Sequence, residues 1–389
     1  MKRLWIIPLL IVGLQADNFD VFLEKALKNS PYLQANALTL ERADQEAALL
    51  RRYKNPTLSL EASEFSPDTS KSEGGYRAAL SQPLRLWGVG DDRESLARAT
   101  KQESSEFFKL KRAGFIQKLS LLYIDYMQAV ALEDLSREEI AIAKEIESIA
   151  KERFEAGSSA KVKYLLAKLD TKRAANLYAQ QALASVSSYY KLLAFSGLRE
   201  EVRLESRYGF ELIKTDAFYN SAELSYFTAK EQKALADAKL QENKVEWVDL
   251  YMEYEKEPDQ KIARFGLDIP LAIFNTKKEE KRVAVIEAKQ NNLLLENQKR
   301  LLAITLKRTE KELQKLQELK SQTMELYRAQ KEMLAMYEDG YKIANIKLIE
   351  LQNLKSQMIE TKEKAILLQA QINTNIVNYN YNAGAYNEK

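Results

Sequence analysis

The chain contains neither cysteine nor histidine among its 389 residues. Without them there can be no disulfide, no thiolate nucleophile, no imidazole base and no metal site built from their side chains. Most hydrolytic and redox chemistry is excluded at once, and the carboxylates form no pocket-like arrangement that could replace it. We therefore expect no catalytic site, no resident cofactor and no metal centre.

Long apolar runs are also missing, except at the start of the chain. Residues 1–16 combine a basic beginning with an apolar run from Leu4 to Leu14, and Ala16 offers a small residue before Asp17. The run is shorter than the roughly 20 residues that a transmembrane helix needs. This pattern predicts a secretory signal peptide covering 1–16, and the alternative is a short membrane anchor.

An excess of charge of one sign is absent as well. Lysine and arginine number 59 and aspartate and glutamate number 56, so the formal net charge is only +3. Nucleic-acid binding requires a basic face, and this balance gives no support for one. We expect no nucleic-acid partner.

Turn-forming residues are scarce, with only 12 glycines and 7 prolines, which indicates long uninterrupted elements. Two stretches contrast with this pattern, and each predicts a β-hairpin. In residues 55–86 the first strand alternates, with Leu58 and Leu60 on one face and Ser59 and Glu61 on the other. Leu80 lies in the returning strand, and the turn between the strands is predicted from Ser66 to Gly75.

The second hairpin is predicted over residues 244–273, with Leu250 in one strand and Phe265 and Leu267 in the other. Each strand has about 9 to 11 residues, which suits an oblique bilayer crossing. Four strands are too few to close a barrel, for which about eight is the practical minimum. Unpaired backbone groups are costly in lipid, so several chains would have to pool their strands.

The remaining chain is predicted to be helical. After a first helix that ends before Asn55, the long helices form hairpins over residues 91–196 and 276–378, and Gly157 and Gly340 are expected to end the outgoing helix of each. The last helix carries heptad positions at alternating spacings of 3 and 4, typical of a coiled-coil seam. These are Leu351, Leu354, Met358, Thr361, Ala365, Leu368 and Ile372.

The two halves repeat one plan of helix, hairpin and long helical hairpin, which indicates internal duplication. Gln82-Pro83-Leu84 parallels Ile269-Pro270-Leu271, and the turn ending at Gly157 parallels the turn ending at Gly340. We predict a first repeat over 17–197 and a second repeat over 198–389, the latter ending in a C-terminal tail.

The order of these elements, and their occurrence once in each half of the chain, resemble the TolC-like outer-membrane efflux family. The resemblance is carried by Asn55-Pro56, by Ser81-Gln82-Pro83-Leu84, by the segment from Gly266 to Leu271, and by the aromatic-acid-x-Gly turns ending at Gly157 and Gly340. It implies a mainly α fold with β strands. Three chains would form a twelve-stranded transmembrane β-barrel continued by a long coiled-coil α-helical barrel.

The resemblance further implies a bacterial outer-membrane location that extends into the periplasm. The protein would be a homotrimeric, passive exit channel of a tripartite efflux system. Its partners would be outer-membrane lipid, a periplasmic adaptor protein and an inner-membrane pump of the RND type. The lipid-facing strand residues would be Leu58, Leu60, Leu80, Leu250, Phe265 and Leu267.

By the same resemblance, the helix turns form the periplasmic entrance and dock the adaptor. The residues carried over are Gly157, Lys163, Asp339, Gly340, Lys347 and Glu350. Relatives often place aspartate early in the return helix, where this chain has Lys163 and Lys347. We therefore expect a mixed-charge entrance, and the alternative is that both lysines lie on a solvated outer face.

Two other functions fit parts of the pattern. The same architecture serves as the exit channel of type I protein secretion. The heptads alone would also suit a secreted structural coiled-coil protein without membrane strands. The sequence does not identify the cargo, and metal ions, drugs and peptides all remain open.

Overall fold

A computed structural model of the protein describes residues 16–66, 71–213, 221–343 and 345–387. Residues 1–15, which include nearly all of the predicted signal peptide, lie outside this range. The described residues contain seven helices and four strands. In chain order they are α1 (Phe19–Asn29), α2 (Pro31–Arg51), β1 (Thr57–Phe65), β2 (Glu73–Arg85), α3 (Val89–Glu155), α4 (Lys161–Ser196), α5 (Ala222–Leu240), β3 (Trp247–Lys256), β4 (Lys261–Asp268), α6 (Lys278–Lys342) and α7 (Leu348–Asn382).

The chain divides into two compact units. The first is built from Met1–Gln34, Lys111–Ser221 and Leu302–Lys389, and the second from Ala35–Leu110 and Ala222–Leu301. Each unit takes segments from both halves of the sequence. The units therefore do not coincide with the predicted repeats, and the duplication stays a prediction.

The second unit contains one antiparallel sheet with the strand order β1-β2-β3-β4. The strands of each predicted hairpin are neighbours, and β2 pairs with β3 to join the two hairpins. For example, Leu80 lies opposite Met252. The outer edges of β1 and β4 have no partner strand among the described residues.

The first turn is shorter than the sequence pattern predicts. Gly74 and Gly75, expected in the turn, belong to β2, which begins at Glu73; residues 67–70 of that turn are outside the described chain. A Cβ at Gly75 would lie 2.7 Å from the Phe65 ring and 2.9 Å from the Lys256 carbonyl oxygen. Gly75 is therefore explained by close packing rather than by chain reversal.

Helices α3 and α6 are 67 and 65 residues long. Neither contains a proline, and α3 has only Gly90 and Gly114 as glycines, so little interrupts its backbone hydrogen bonds. Among the described residues, no helix combines the length and apolar character needed to cross a membrane.

The core of the first unit includes the predicted heptad seam. Of the seven predicted seam residues Thr361 is only half-buried, and its hydroxyl donates to the Gln357 carbonyl oxygen. The other six are buried: Leu351, Leu354, Met358, Ala365, Leu368 and Ile372. Near the start of α7 they pack with apolar residues of α3 and α6, among them Ile146 and Leu334. Complete burial of such a side chain contributes about 1.5–3 kcal/mol, so this seam is a main source of stability in the unit.

Candidate functional site

One face of the sheet is apolar across all four strands. Leu58, Leu80, Met252 and Phe265 lie opposite one another in a single row. The six strand residues predicted to face lipid share this face, and each is at least 41% exposed. They are Leu58, Leu60, Leu80, Leu250, Phe265 and Leu267.

The opposite face carries a connected set of charges, which we call the ion-pair belt: Glu61, Arg77, Glu253, Glu255 and Arg264. The Arg77 Nη2 lies 2.6 Å from the Glu253 Oε2, and its Nη1 lies 3.3 Å from the Glu61 Oε2. Arg264 pairs with Glu253 and, at 2.6 Å, with Glu255. The belt thus contains residues of all four strands.

The apolar face is exposed in the single chain, and Phe265 reaches 76% exposure. On the charged face Glu253 is only 8% exposed, whereas the side chains of Glu61 and Arg264 are 60% and 43% exposed. Soluble monomers seldom expose an apolar face of this extent, because it would bind other molecules or aggregate. The sheet therefore suits apolar surroundings on one side and a wet interior on the other.

An aromatic and basic cluster lies where the sheet meets the helices. The Arg85 guanidinium lies 4.4 Å from the Tyr53 ring centre and 5.0 Å from that of Trp247. Arg85 also donates hydrogen bonds to the carbonyl oxygens of Arg51 and Arg52, at 3.0 and 2.9 Å. These contacts attach the end of α2 to the sheet. Sequence reasoning missed them, although basic and aromatic residues flanking a predicted strand were a usable signal.

Glu246, next to this cluster, holds two cations. Arg93 and Lys277 both donate hydrogen bonds to its carboxylate. Burial alone would raise the pKa of Glu246, but the hydrogen bonds and charges of these two partners hold it below the ordinary value. Glu246 therefore stays ionised and connects the starts of α3 and α6 to the start of β3.

The two predicted entrance turns meet in the first unit. Gly157 has a positive φ of 70° after the end of α3, which confirms the predicted helix-ending conformation. The Arg153 guanidinium donates to the Tyr341 carbonyl oxygen at 2.7 Å and lies 4.6 Å from the centre of its ring. Arg153 and Tyr341 thereby join the last turn of α3 to the last turn of α6.

The same conformation was predicted for Gly340, and that prediction is wrong. Gly340 is helical, and α6 continues to Lys342. A Cβ at Gly340 would lie 2.6 Å from the Cγ1 of Ile346, and the backbone amides of Asn345 and Ile346 both donate to the Gly340 carbonyl oxygen. Glycine at this position is explained by the close approach of the returning chain.

Charged side chains surround the second turn. Asp339 is exposed and lies 3.2 Å from Lys342. Partial burial, and then the negative charge of Glu145, raise the pKa of Glu338 above its ordinary value. Lys347 is exposed, and its backbone amide donates to the Glu350 carboxylate at 3.2 Å, so Glu350 caps the start of α7. This contact gives Glu350 a structural role, in addition to the predicted entrance role.

Lys163, the remaining predicted entrance residue, is exposed in the first turn of α4. Neither Lys163 nor Lys347 has a carboxylate in ion-pair contact within the described part of the chain. Both side chains are therefore open to solvent in the single chain. Their exposure fits a charged entrance and a solvated outer face equally well, so the predicted role stays a prediction.

A buried lysine lies near this region and was missed. The Lys355 side chain is 1% exposed, and its Nζ lies 2.7 Å from the Asp170 Oδ2 and 3.3 Å from the Glu139 Oε1. The three residues join α7, α4 and α3. The available signal was the position of Lys355, four residues after the core residue Leu351 and directly after Leu354.

A profile described as outer membrane efflux protein matches residues 22–198. The nickel-cobalt-cadmium resistance protein NccC of Alcaligenes xylosoxydans xylosoxydans is 22% identical over 192 residues, which is 49% of this chain and 44% of NccC. The match thus spans less than half of that relative.

Solved structures share the fold. CusC, described as forming a transmembrane channel, superposes with a TM-score of 0.79 at 13% identity, covering 94% of this chain and 91% of CusC. The outer membrane protein VceC of Vibrio cholerae gives a TM-score of 0.77 at 11% identity, covering 94% of this chain and 95% of VceC. At these identities the superpositions show the fold alone.

Proposed function

We propose that this chain is an outer membrane efflux protein and that three copies form a passive exit duct in a bacterial outer membrane; the profile match over residues 22–198 supports this proposal. The observation that carries the proposal is the two-sided sheet, in which one face is apolar and exposed across all four strands and the other face carries the ion-pair belt. Lipid outside and a water-filled lumen inside would satisfy both faces.

The free strand edges support a shared barrel. In lipid, the unpaired amides and carbonyls of β1 and β4 would each cost several kcal/mol, because no water is there to bind them. One four-stranded sheet is too small to close on itself, since about eight strands is the practical minimum. Pairing β4 of one chain with β1 of the next in a trimer gives twelve strands and leaves no free edge.

The helices give the duct its periplasmic part. In this proposal α3, α4, α6 and α7 of three chains line a tunnel, and the turns after α3 and after α6 form its entrance. A periplasmic adaptor docks on these turns, and an inner-membrane pump of the RND type supplies the energy. NccC makes nickel, cobalt and cadmium ions the first cargo to test.

The assembly is tested by membrane fractionation and electrophoresis of unheated samples. The duct should remain in outer membranes washed with urea and should migrate as a trimer that heating converts to a monomer. A structural coiled-coil protein would be released by the wash. Recovery of the mature chain as a water-soluble monomer would overturn the proposal.

The entrance assignment is tested by replacing Lys347 with aspartate. If Lys347 faces the narrow entrance, three added carboxylates should increase the permeability of cations relative to anions by about two- to fivefold, because like charges in a ring select counter-ions. Single-channel recordings in a salt gradient measure this ratio. Lys364→Asp is the matched control, since Lys364 is an exposed lysine further along α7. An unchanged ratio in Lys347→Asp would place Lys347 outside the entrance.

A further inference from the structure

Tyr251 and Gly266 lie opposite each other on β3 and β4. A Cβ added at Gly266 would lie 2.4 Å from the Cζ and Oη of Tyr251 and 2.5 Å from its Cε1. These distances are far below van der Waals contact, so no residue other than glycine fits there while the ring keeps its place. The Tyr251 ring thus lies directly over the backbone of the neighbouring strand.

This pair is on the same face as the ion-pair belt. Tyr251 is two residues before Glu253, and Gly266 is two residues after Arg264, so strand alternation gives all four the same face. The row that crosses the four strands at this level is Thr57, Ser81, Tyr251 and Gly266. Tyr251 is the one large side chain in the row.

We propose that the absence of a side chain at Gly266 lets the Tyr251 ring pack flat against the wall of the barrel, which keeps the lumen open at this level. The inference rests on the proposed duct, because the face that carries the ion-pair belt lines a lumen only when three chains form a closed barrel. The pair would then help to determine the largest cargo that passes. It also gives a physical reason for glycine in the segment from Gly266 to Leu271.

A side chain at position 266 would displace the ring. Movement along the sheet is limited by Asp249 and Glu253, which flank Tyr251 on the same strand and face. The open direction is away from the sheet, toward the lumen. Since every chain contributes one such pair, Gly266→Ala would move three phenol rings into the lumen at the same level of the barrel.

Cysteine labelling from outside intact cells tests this inference, because the chain has no cysteine of its own. A reporter Asp268→Cys is placed on the same face as Tyr251, one row further from the β3–β4 turn. Labelling by a small maleimide should be the same with and without Gly266→Ala. Labelling by a maleimide on a large poly(ethylene glycol) should slow by about tenfold with Gly266→Ala, because the pore diameter limits its passage.

Two further variants make the result specific. Gly74→Ala is the matched control, since a Cβ at Gly74 meets no atom within 4 Å, and it should leave labelling unchanged. Adding Tyr251→Ala to Gly266→Ala should restore labelling by the large reagent. If Gly266→Ala alone does not assemble, the same second change should restore the trimer.

The outcomes separate the two proposals. Equal labelling by the large reagent with and without Gly266→Ala would overturn the proposed role of Gly266. Failure of Tyr251→Ala to rescue the defect of Gly266→Ala would do the same. If the small maleimide does not reach Asp268→Cys even without Gly266→Ala, the duct itself is wrong.

Discussion

Replacing Lys355 with methionine is expected to loosen the start of α7 in the first unit. Methionine fills the space but leaves Asp170 and Glu139 without their shared cation, and both carboxylates are largely sheltered from water. Removing one partner from a buried ion pair costs about 3–5 kcal/mol. Amide hydrogen exchange should therefore speed up by on the order of 100-fold or more for residues 348–359, where exchange reports local opening.

Lys364→Met is the matched control, because Lys364 is exposed on the same helix. Its effect should stay within about 0.5 kcal/mol, as for most surface substitutions. The triple variant Lys355→Met, Asp170→Asn and Glu139→Gln removes all three charges and should recover most of the protection. If Lys355→Met exchanges no faster than Lys364→Met, the ion pairs do not stabilise this part of the helix.

The residues around Lys355 also show which structural features could be predicted from the sequence. The heptad positions Leu351, Leu354 and Met358 were predicted from spacing and are buried, because helical periodicity alone determines which residues share a face. The same holds for Leu58 and Leu60, since alternation along a strand does not depend on the partner strand. Local repeats of this kind predict faces correctly before any long-range contact is known.

Other features depend on contacts between distant segments. Lys355 and Asp170, which form an ion pair, are 185 positions apart in the sequence, and no local pattern indicates such a pairing. The pairing of β2 with β3 likewise joins segments more than 160 residues apart. Gly340 was wrongly predicted because a glycine near a helix end is usually there for its φ, whereas here the neighbouring Ile346 requires it.

Leu60→Arg is expected to have a large effect on assembly in the membrane. Leu60 is 73% exposed near the middle of β1, so in a water-soluble sheet the change would cost little. If this face meets the hydrocarbon near the bilayer centre, each arginine costs about 2–4 kcal/mol, and the barrel would contain three of them. The yield of folded trimer in outer membranes should fall sharply, and urea titrations of folding into lipid vesicles measure the loss.

The decisive comparison is with the adjacent residue on the other face. Ser59→Arg introduces the same side chain one position earlier, on the face that carries Glu61 and Glu253. A lumen filled with water tolerates this charge, so the trimer yield should stay close to that of the unmodified protein. Equal losses for Ser59→Arg and Leu60→Arg would mean that the two faces do not differ in solvent. A loss confined to Leu60→Arg requires lipid on the apolar face, and lipid there in turn requires the edges of β1 and β4 to be paired between chains.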